Sequence, residues 1–165
     1  MAKMYAVADC KIFIGDAPMD DQDDDFVEAD FDTVVWTEID GWVTMGAHGD
    51  TAALVTSDQI GVGRTKKAKG TRNAGSMENV FDVVADDPGQ LALVAAEQTN
   101  QNWPFRIVYN DAPATGVAPA PSESKFIGIV MSQSRAGGGA NDPRRMNATI
   151  EINSNVVFLP ATTGA

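Results

Sequence analysis

Three aspartates at alternate positions, Asp21, Asp23 and Asp25, have the spacing that opens an EF-hand calcium loop. That loop also needs glycine at its sixth position and glutamate at its twelfth, where this chain has Phe26 and Asp32, and no helix precedes the run. Calcium is rejected, and residues 19–25 read as a solvated acidic loop. Gly61-Val-Gly-Arg-Thr-Lys-Lys invites a phosphate-loop reading, but no glycine precedes Lys66 or Lys67, and the third glycine of a dinucleotide fingerprint is missing at position 66. Zinc needs clustered Cys or His, and the chain has one of each, Cys10 and His48. A Ser-His-Asp site would have to use His48, and no Gly-x-Ser-x-Gly elbow exists. Paired carboxylates abound, but any acidic protein supplies them. Nothing here points to catalysis, a metal or a cofactor.

His48, in the Gly-rich stretch 46–49, is expected to face solvent. Cys10 is expected to be a small buried residue of a strand, and a single cysteine allows no intrachain disulfide. No apolar run approaches the ~20 residues of a membrane span, and residues 1–5 lack the apolar stretch of a secretory signal. The chain is expected to stay in the cytoplasm unless it leaves inside an assembly.

The 165 residues carry 23 acids against 12 bases, a formal charge of −11. A field of that sign repels free nucleic acid, whose binding rests on neutralising phosphates with Lys and Arg. The charge is segregated. Asp20, Asp21, Asp23, Asp24 and Asp25 crowd one stretch that runs on to Asp32, while Arg64, Lys66, Lys67, Lys69 and Arg72 fall within nine positions. The basic cluster has no interleaved aromatics, so it is a poor platform for single-stranded nucleic acid. It suits an acidic protein partner, and the obvious candidate is the acidic stretch of another copy.

The elements that must position these groups are mostly strands. Residues 4–15, 34–45, 73–85, 105–109, 125–134 and 146–153 have strand character, and 156–159 ends the structured region before a short tail at 160–165. In 146–153, Met146, Ala148, Ile150 and Ile152 alternate with Asn147, Thr149, Glu151 and Asn153, so one half faces a core. One helix is expected over about 88–101: Asp87 suits the N-cap, Pro88 the first turn, and Gln90 stands three residues after the cap. Leu91, Val94, Ala95 and Gln98 trace a face at helical spacing, and Pro104 stops the helix. Residues 46–72 lack periodicity and read as a long irregular loop, a kind of segment that usually carries function. Residues 110–124 form a Pro/Ala-rich loop. One mainly antiparallel β-sandwich or barrel with a single helix packed on it is the expected fold, as one domain.

In this order the pieces resemble the tail tube (major tail) proteins of lambda-like siphophages, including those of phage-derived gene transfer particles. The resemblance spans about 4–159. It rests on Trp36-Thr-Glu-Ile-Asp-Gly-Trp-Val and on the long loop running into Lys67-Ala-Lys-Gly-Thr-Arg-Asn-Ala-Gly75. It rests also on the helix opening Asp87-Pro-Gly-Gln-Leu-Ala-Leu, and on Phe126-Ile-Gly-Ile-Val-Met-Ser followed by the alternating strand.

What the resemblance implies is a structural virion subunit and not an enzyme. Hexameric rings would stack around a tape-measure protein, with tail terminator and distal tail proteins as further partners. Double-stranded DNA would pass down the channel without specific binding. Assembly would take place in the host cytoplasm, with the product in the virion tail. The loop at 46–72 would order on contact with neighbouring rings, and the chain ends would join such contacts. A negative channel would keep DNA from adhering, over a range of about 8 Å at physiological salt. Its candidate lining is Glu78 with Asp82, and Glu151 with Asn147, Thr149 and Asn153. Another phage head–tail or decoration protein, or a tail-tip ligand-binding β-sandwich, are the alternatives.

Overall fold

The computed structural model describes residues 2–164. Its elements are β1 (Lys11–Gly15), a 3₁₀ turn (Glu28–Phe31), β2 (Trp36–Glu38), β3 (Trp42–Thr44), β4 (Thr51–Ser57), β5 (Lys66–Asn73) and β6 (Ser76–Asp82). They continue with α1 (Pro88–Glu97), β7 (Trp103–Val108), β8 (Glu123–Ala136), β9 (Arg145–Ile152) and β10 (Val157–Leu159). The main sheet runs β2-β1-β7-β8-β9-β6-β3, with β10 paired to β8, and its pairings are antiparallel throughout. β2 and β3 stand at opposite ends of this path, yet residues 39–41 are all that separate them in the chain. The sheet therefore curls until its ends nearly meet, and the expected mainly β fold with one helix is what forms.

Gly41 turns the corner between β2 and β3 with φ 78, a left-handed value that favours glycine. This is why the single strand expected over 34–45 is two short ones. The strand expected from residue 4 begins only at Lys11, because residues 4–10 turn back on themselves through Asp9 (φ 65).

The core is shared by the inward side chains of β1, β6, β7, β8 and β9, among them Ile12, Phe81, Phe105, Phe126 and Ile150. All four apolar positions expected to point inward on β9 are buried. On β6 the inner face includes a polar residue, Asn79, whose Oδ1 accepts from Trp42 Nε1 (3.2 Å) and from the Gly46 N–H (3.1 Å). A second, smaller cluster of Phe26, Phe31 and Ile127, with Met19 and Trp36 packed against it, plugs residues 19–36 onto the sheet.

α1 packs against β8, β1 and β2. Asp87 caps it as expected, its Oδ2 accepting from the Gln90 N–H at 2.8 Å. The helix ends at Glu97, short of the expected residue 101; the Thr99 hydroxyl then takes the Ala96 carbonyl at 2.8 Å. Its buried face is Gly89, Gln90, Leu93 and Ala96, whereas Leu91, Ala95 and Gln98 are exposed. Two contacts set that rotation. A Cβ at position 89 would lie 2.6 Å from Ile39 Cα and collide with the Glu38 carbonyl, so the glycine lets the helix start lie against the β2–β3 corner. The Gln90 side chain does not close a capping box. Its Nε2 donates to the carbonyls of Asp40 and Asp82, both at 2.8 Å, and its Oε1 accepts from the Val84 N–H at 3.1 Å.

The tail is not free either. Thr162 and Ala120 exchange backbone hydrogen bonds at 3.0 and 2.8 Å, tying the chain end to the Pro/Ala-rich loop; Ala165 lies outside the described residues.

Candidate assembly surfaces

The segment 46–72 is not an irregular loop. β4 and β5 pair as an antiparallel hairpin that forms a two-stranded sheet of its own, with residues 58–65 at its tip. The strand signal is hidden because the arm buries almost nothing, so neither face needs the apolar alternation of a half-buried strand. β5 joins the body through Ala74 and Gly75, and β4 through residues 45–50.

Register gives the arm two different faces. Leu54 sits opposite Lys69 and Thr56 opposite Lys67, which makes one basic face. The other carries Val55 opposite Ala68, with Ala53 and Gly70 beside them across the register shift. Leu54, Val55, Ile60 and Val62 are all exposed, Ile60 completely. Among the described residues, Arg64, Lys66, Lys67 and Lys69 form no ion pair; Arg72 reaches Asp50 at 3.7 Å, at the base of the arm.

Asp20, Asp21, Asp23, Asp24 and Asp25 are exposed, as expected, and none forms an ion pair among the described residues. Their presentation depends on Phe26, whose backbone N–H donates to Asn155 Oδ1 (2.7 Å) and whose carbonyl accepts from Asn155 Nδ2 (3.0 Å). Within one copy the two charged segments approach each other at their near ends. Asp25 and Arg72 line one polar cleft of about 550 Å³ with Asp50, Glu151, Asn153 and Asn155.

The six residues singled out on β6 and β9 share one outward surface. Glu78 is paired with Thr149, Val80 with Asn147, Ser76 with Glu151 and Asp82 with Arg145, and Asn153 follows at the end of β9. Arg145 Nε lies 3.2 Å from Asp82 Oδ1, so one of the three acids there is already compensated.

His48 and Cys10 both depart from expectation. His48 is half-buried: Nδ1 lies 3.1 Å from the Gly46 carbonyl, and Nε2 lies 2.7 Å from the Tyr109 hydroxyl, which in turn bonds Ser124 Oγ at 2.8 Å. Burial pushes the Tyr109 hydroxyl above its ordinary pKa, against the opposing pull of the Ser124 hydrogen bond. The His48 ring stacks on Tyr109 and Phe126, contacts that no local sequence signal announces. Cys10 precedes β1 and is half-buried, in a turn that its N–H closes onto the Val7 carbonyl at 3.2 Å. It lines an apolar cleft of about 280 Å³ with Tyr5, Val7, Met45, Tyr109 and Phe158. Sequence reasoning did not find this cleft, whose lining comes from five separate parts of the chain.

No family model and no curated protein matches the sequence. Solved structures do match in fold. A chain of the anti-feeding prophage baseplate aligns with 11% identity over 97% of this chain and 98% of that one, at a TM-score of 0.68. A chain from the sheath-tube complex of the PVC extracellular contractile injection system aligns with 13% identity over 95% and 92%, at 0.64. The SPP1 tail tube aligns with 14% identity over 92% of this chain and 77% of that one, at 0.63. The fold is one that this chain shares with components of phage tails and contractile injection systems.

Proposed function

We propose that the chain is a major tail tube subunit of a lambda-like siphophage or a phage-derived gene transfer particle, whose copies form hexameric rings stacked into a hollow tube. One observation carries the reading: an acidic body extends a two-stranded arm whose Arg64, Lys66, Lys67 and Lys69 have no acidic partner among the described residues of their own copy. Exposed acids at Asp20, Asp21, Asp23, Asp24 and Asp25 are the complementary surface of a neighbouring copy. The fold likeness to the SPP1 tail tube supports the assignment. The outward face of β6 and β9, with Glu78, Asp82, Asn147, Thr149 and Glu151, and Asn153 at its end, is the channel wall in this reading. Its acids keep passing double-stranded DNA from adhering. The tape-measure, terminator and distal tail proteins are the further partners, and the assembled virion tail is the destination.

The test is electron microscopy of concentrated protein beside the triple variant Lys66→Glu, Lys67→Glu, Lys69→Glu. Wild type is expected to form stacked rings or hollow tubes. The variant is expected to remain folded and dispersed, since each exposed ion pair contributes about 0.2–1 kcal/mol and reversal turns attraction into repulsion. Tubes from the variant at both low and high salt would overturn the charge pairing. A map with the β6–β9 face on the outside would overturn the channel assignment.

A further inference from the structure

We infer that the apolar cleft beneath the N-terminal segment is a socket for the tip of another copy's β4–β5 arm, with Ile60 and Val62 as the inserted side chains. This rests on the tube-subunit reading insofar as it needs copies that meet in an ordered array.

The cleft and the tip are both apolar surfaces that the fold leaves open. The cleft offers about 280 Å³ walled by Tyr5, Val7, Met45, Tyr109 and Phe158, with Cys10 among the lining residues. Its polar lining groups are engaged within the chain: the Tyr109 hydroxyl with His48 and Ser124, the Asp111 carboxylate with the Ser122 N–H and hydroxyl, and Asn110 Nδ2 with the Ala8 carbonyl. Tyr5, Val7 and Phe158 remain more than half exposed, although such side chains are the ones that gain most from burial. At the tip, Ile60 is fully exposed and Val62 is exposed as well, on an arm with no core of its own.

The occupant is a second copy, and two observations say so. The first is reach. Met45 of the cleft lies six residues before β4, so the arm springs from beside its own socket. Seven residues of β4 then carry the tip on the order of 20 Å away, at about 3.3 Å per residue. None of residues 58–65 lines the cleft of its own copy.

The second is charge. Residues 50–73 hold five bases and two acids, a surplus of three positive charges, so the rest of the chain has an excess of fourteen acids. Asp111 lines the cleft and Asp9 an adjoining one that shares Val7, Cys10 and Met45 with it; at the tip Arg64 follows Val62 by two positions and Asp58 precedes Ile60 by two. An apolar tip on a net basic arm fits an apolar socket on a strongly acidic body. Tip and socket are different surfaces, so the contact is head-to-tail and propagates into a closed ring or an open stack.

Cys10 lies in the socket and is the sole cysteine of the chain, which makes the test direct. Ile60→Cys and Val62→Cys are each assembled, oxidised with diamide, and analysed by non-reducing gel and peptide mass spectrometry. A control, Ser134→Cys, places the new thiol on the exposed far part of β8. The expected result is a ladder of disulfide-linked oligomers in which Cys10 of one copy is joined to the introduced thiol at the tip of the next. That ladder should be absent when Cys10→Ala is added and absent from Ser134→Cys. Assembled rings or tubes without the Cys10 linkage, or linked tip to tip through two introduced thiols, would overturn the socket and leave the tube reading standing.

Unmodified Cys10 gives a second readout in case a cysteine variant fails to assemble. Its maleimide labelling should slow at least tenfold as wild-type protein assembles. Ile60→Asp, with a native circular dichroism spectrum, should label at the unassembled rate and need about ten- to a hundredfold more protein to assemble. Equal labelling of assembled and unassembled wild type would overturn the proposal. Wild type that forms no rings or tubes at any concentration would overturn the tube reading and this inference with it.

Discussion

Gln90 is the sharpest test of how the curled sheet is held shut. It is 4% exposed, and its amide joins three segments: the Asp40 carbonyl at the β2–β3 corner, the Asp82 carbonyl ending β6, and the Val84 N–H beyond it. Gln90→Ala keeps the helix propensity but leaves that N–H and two carbonyls without their shared partner. A buried unpaired polar group costs about 1–3 kcal/mol, and the carbonyls and the space left by the side chain bring the expected loss to roughly 3–5 kcal/mol. Against a total of about 5–15 kcal/mol for a domain, this is a large fraction.

The assay is urea unfolding at concentrations too dilute for assembly, followed by circular dichroism and tryptophan fluorescence, with stability read from the midpoint. Gln90→Glu refines it. Near neutral pH its carboxylate faces two carbonyl oxygens, which pushes the folded-state pKa above the unfolded value of about 4.3. Raised in this way, the group contributes stability that is present below about pH 4.3 and lost as pH rises through the folded value, so this variant should recover relative to wild type on acidification. A Gln90→Ala loss below about 1 kcal/mol would refute the reasoning, and the corner would have to be held by packing and by its other hydrogen bonds, Asp40 N–H to Asp87 Oδ2 (3.2 Å) and Asp82 N–H to the Gly41 carbonyl (2.7 Å).

Gly89→Ala should destabilise by roughly 1–3 kcal/mol or more in the same assay, because the collision with Glu38 and Ile39 outweighs the ~1 kcal/mol that alanine gains in helix propensity. Tyr109 gives an alkaline signature. Its folded pKa is raised, so above about pH 10 the unfolded chain releases a proton that the folded one keeps, and stability falls with rising pH. Spectrophotometric titration should show one phenol ionising late, and Tyr109→Phe should remove that part of the alkaline decline.

The elements legible from sequence were those whose local pattern and burial agree. β9 alternates because one side faces a core and the other does not, and Asp87-Pro88 marks a helix start through chemistry confined to one turn. What escaped was decided at long range. The helix face was misjudged because Gly89 and Gln90, a small residue and a polar one, point inward for the sake of a corner some fifty residues upstream. The arm at 51–73 escaped because strand periodicity reports a buried face, and this hairpin has none. For the charged segments, composition located the residues, but only the register showed that Lys67 and Lys69 share one face while Val55 and Ala68 occupy the other. The outward grouping of Glu78 with Thr149 needed the β6–β9 register in the same way.

The closing of the main sheet leaves the body with three-residue strands at both ends of its path, so its own edges invite little pairing. The arm is the opposite case: β4 and β5 each keep one long unpaired edge, seven and eight residues in length, along which every second residue holds out an open N–H and C=O. Such an edge is a template for any extended chain, and natural sheets commonly guard it with lysine. Lys66, Lys67 and Lys69 therefore act as gatekeepers as well as partners. Replacing all three with alanine would leave β5 with Arg72 at its base as its one charge, a ribbon that zips onto its own kind as fibrous aggregate, whereas glutamate would keep the guard and change only the sign.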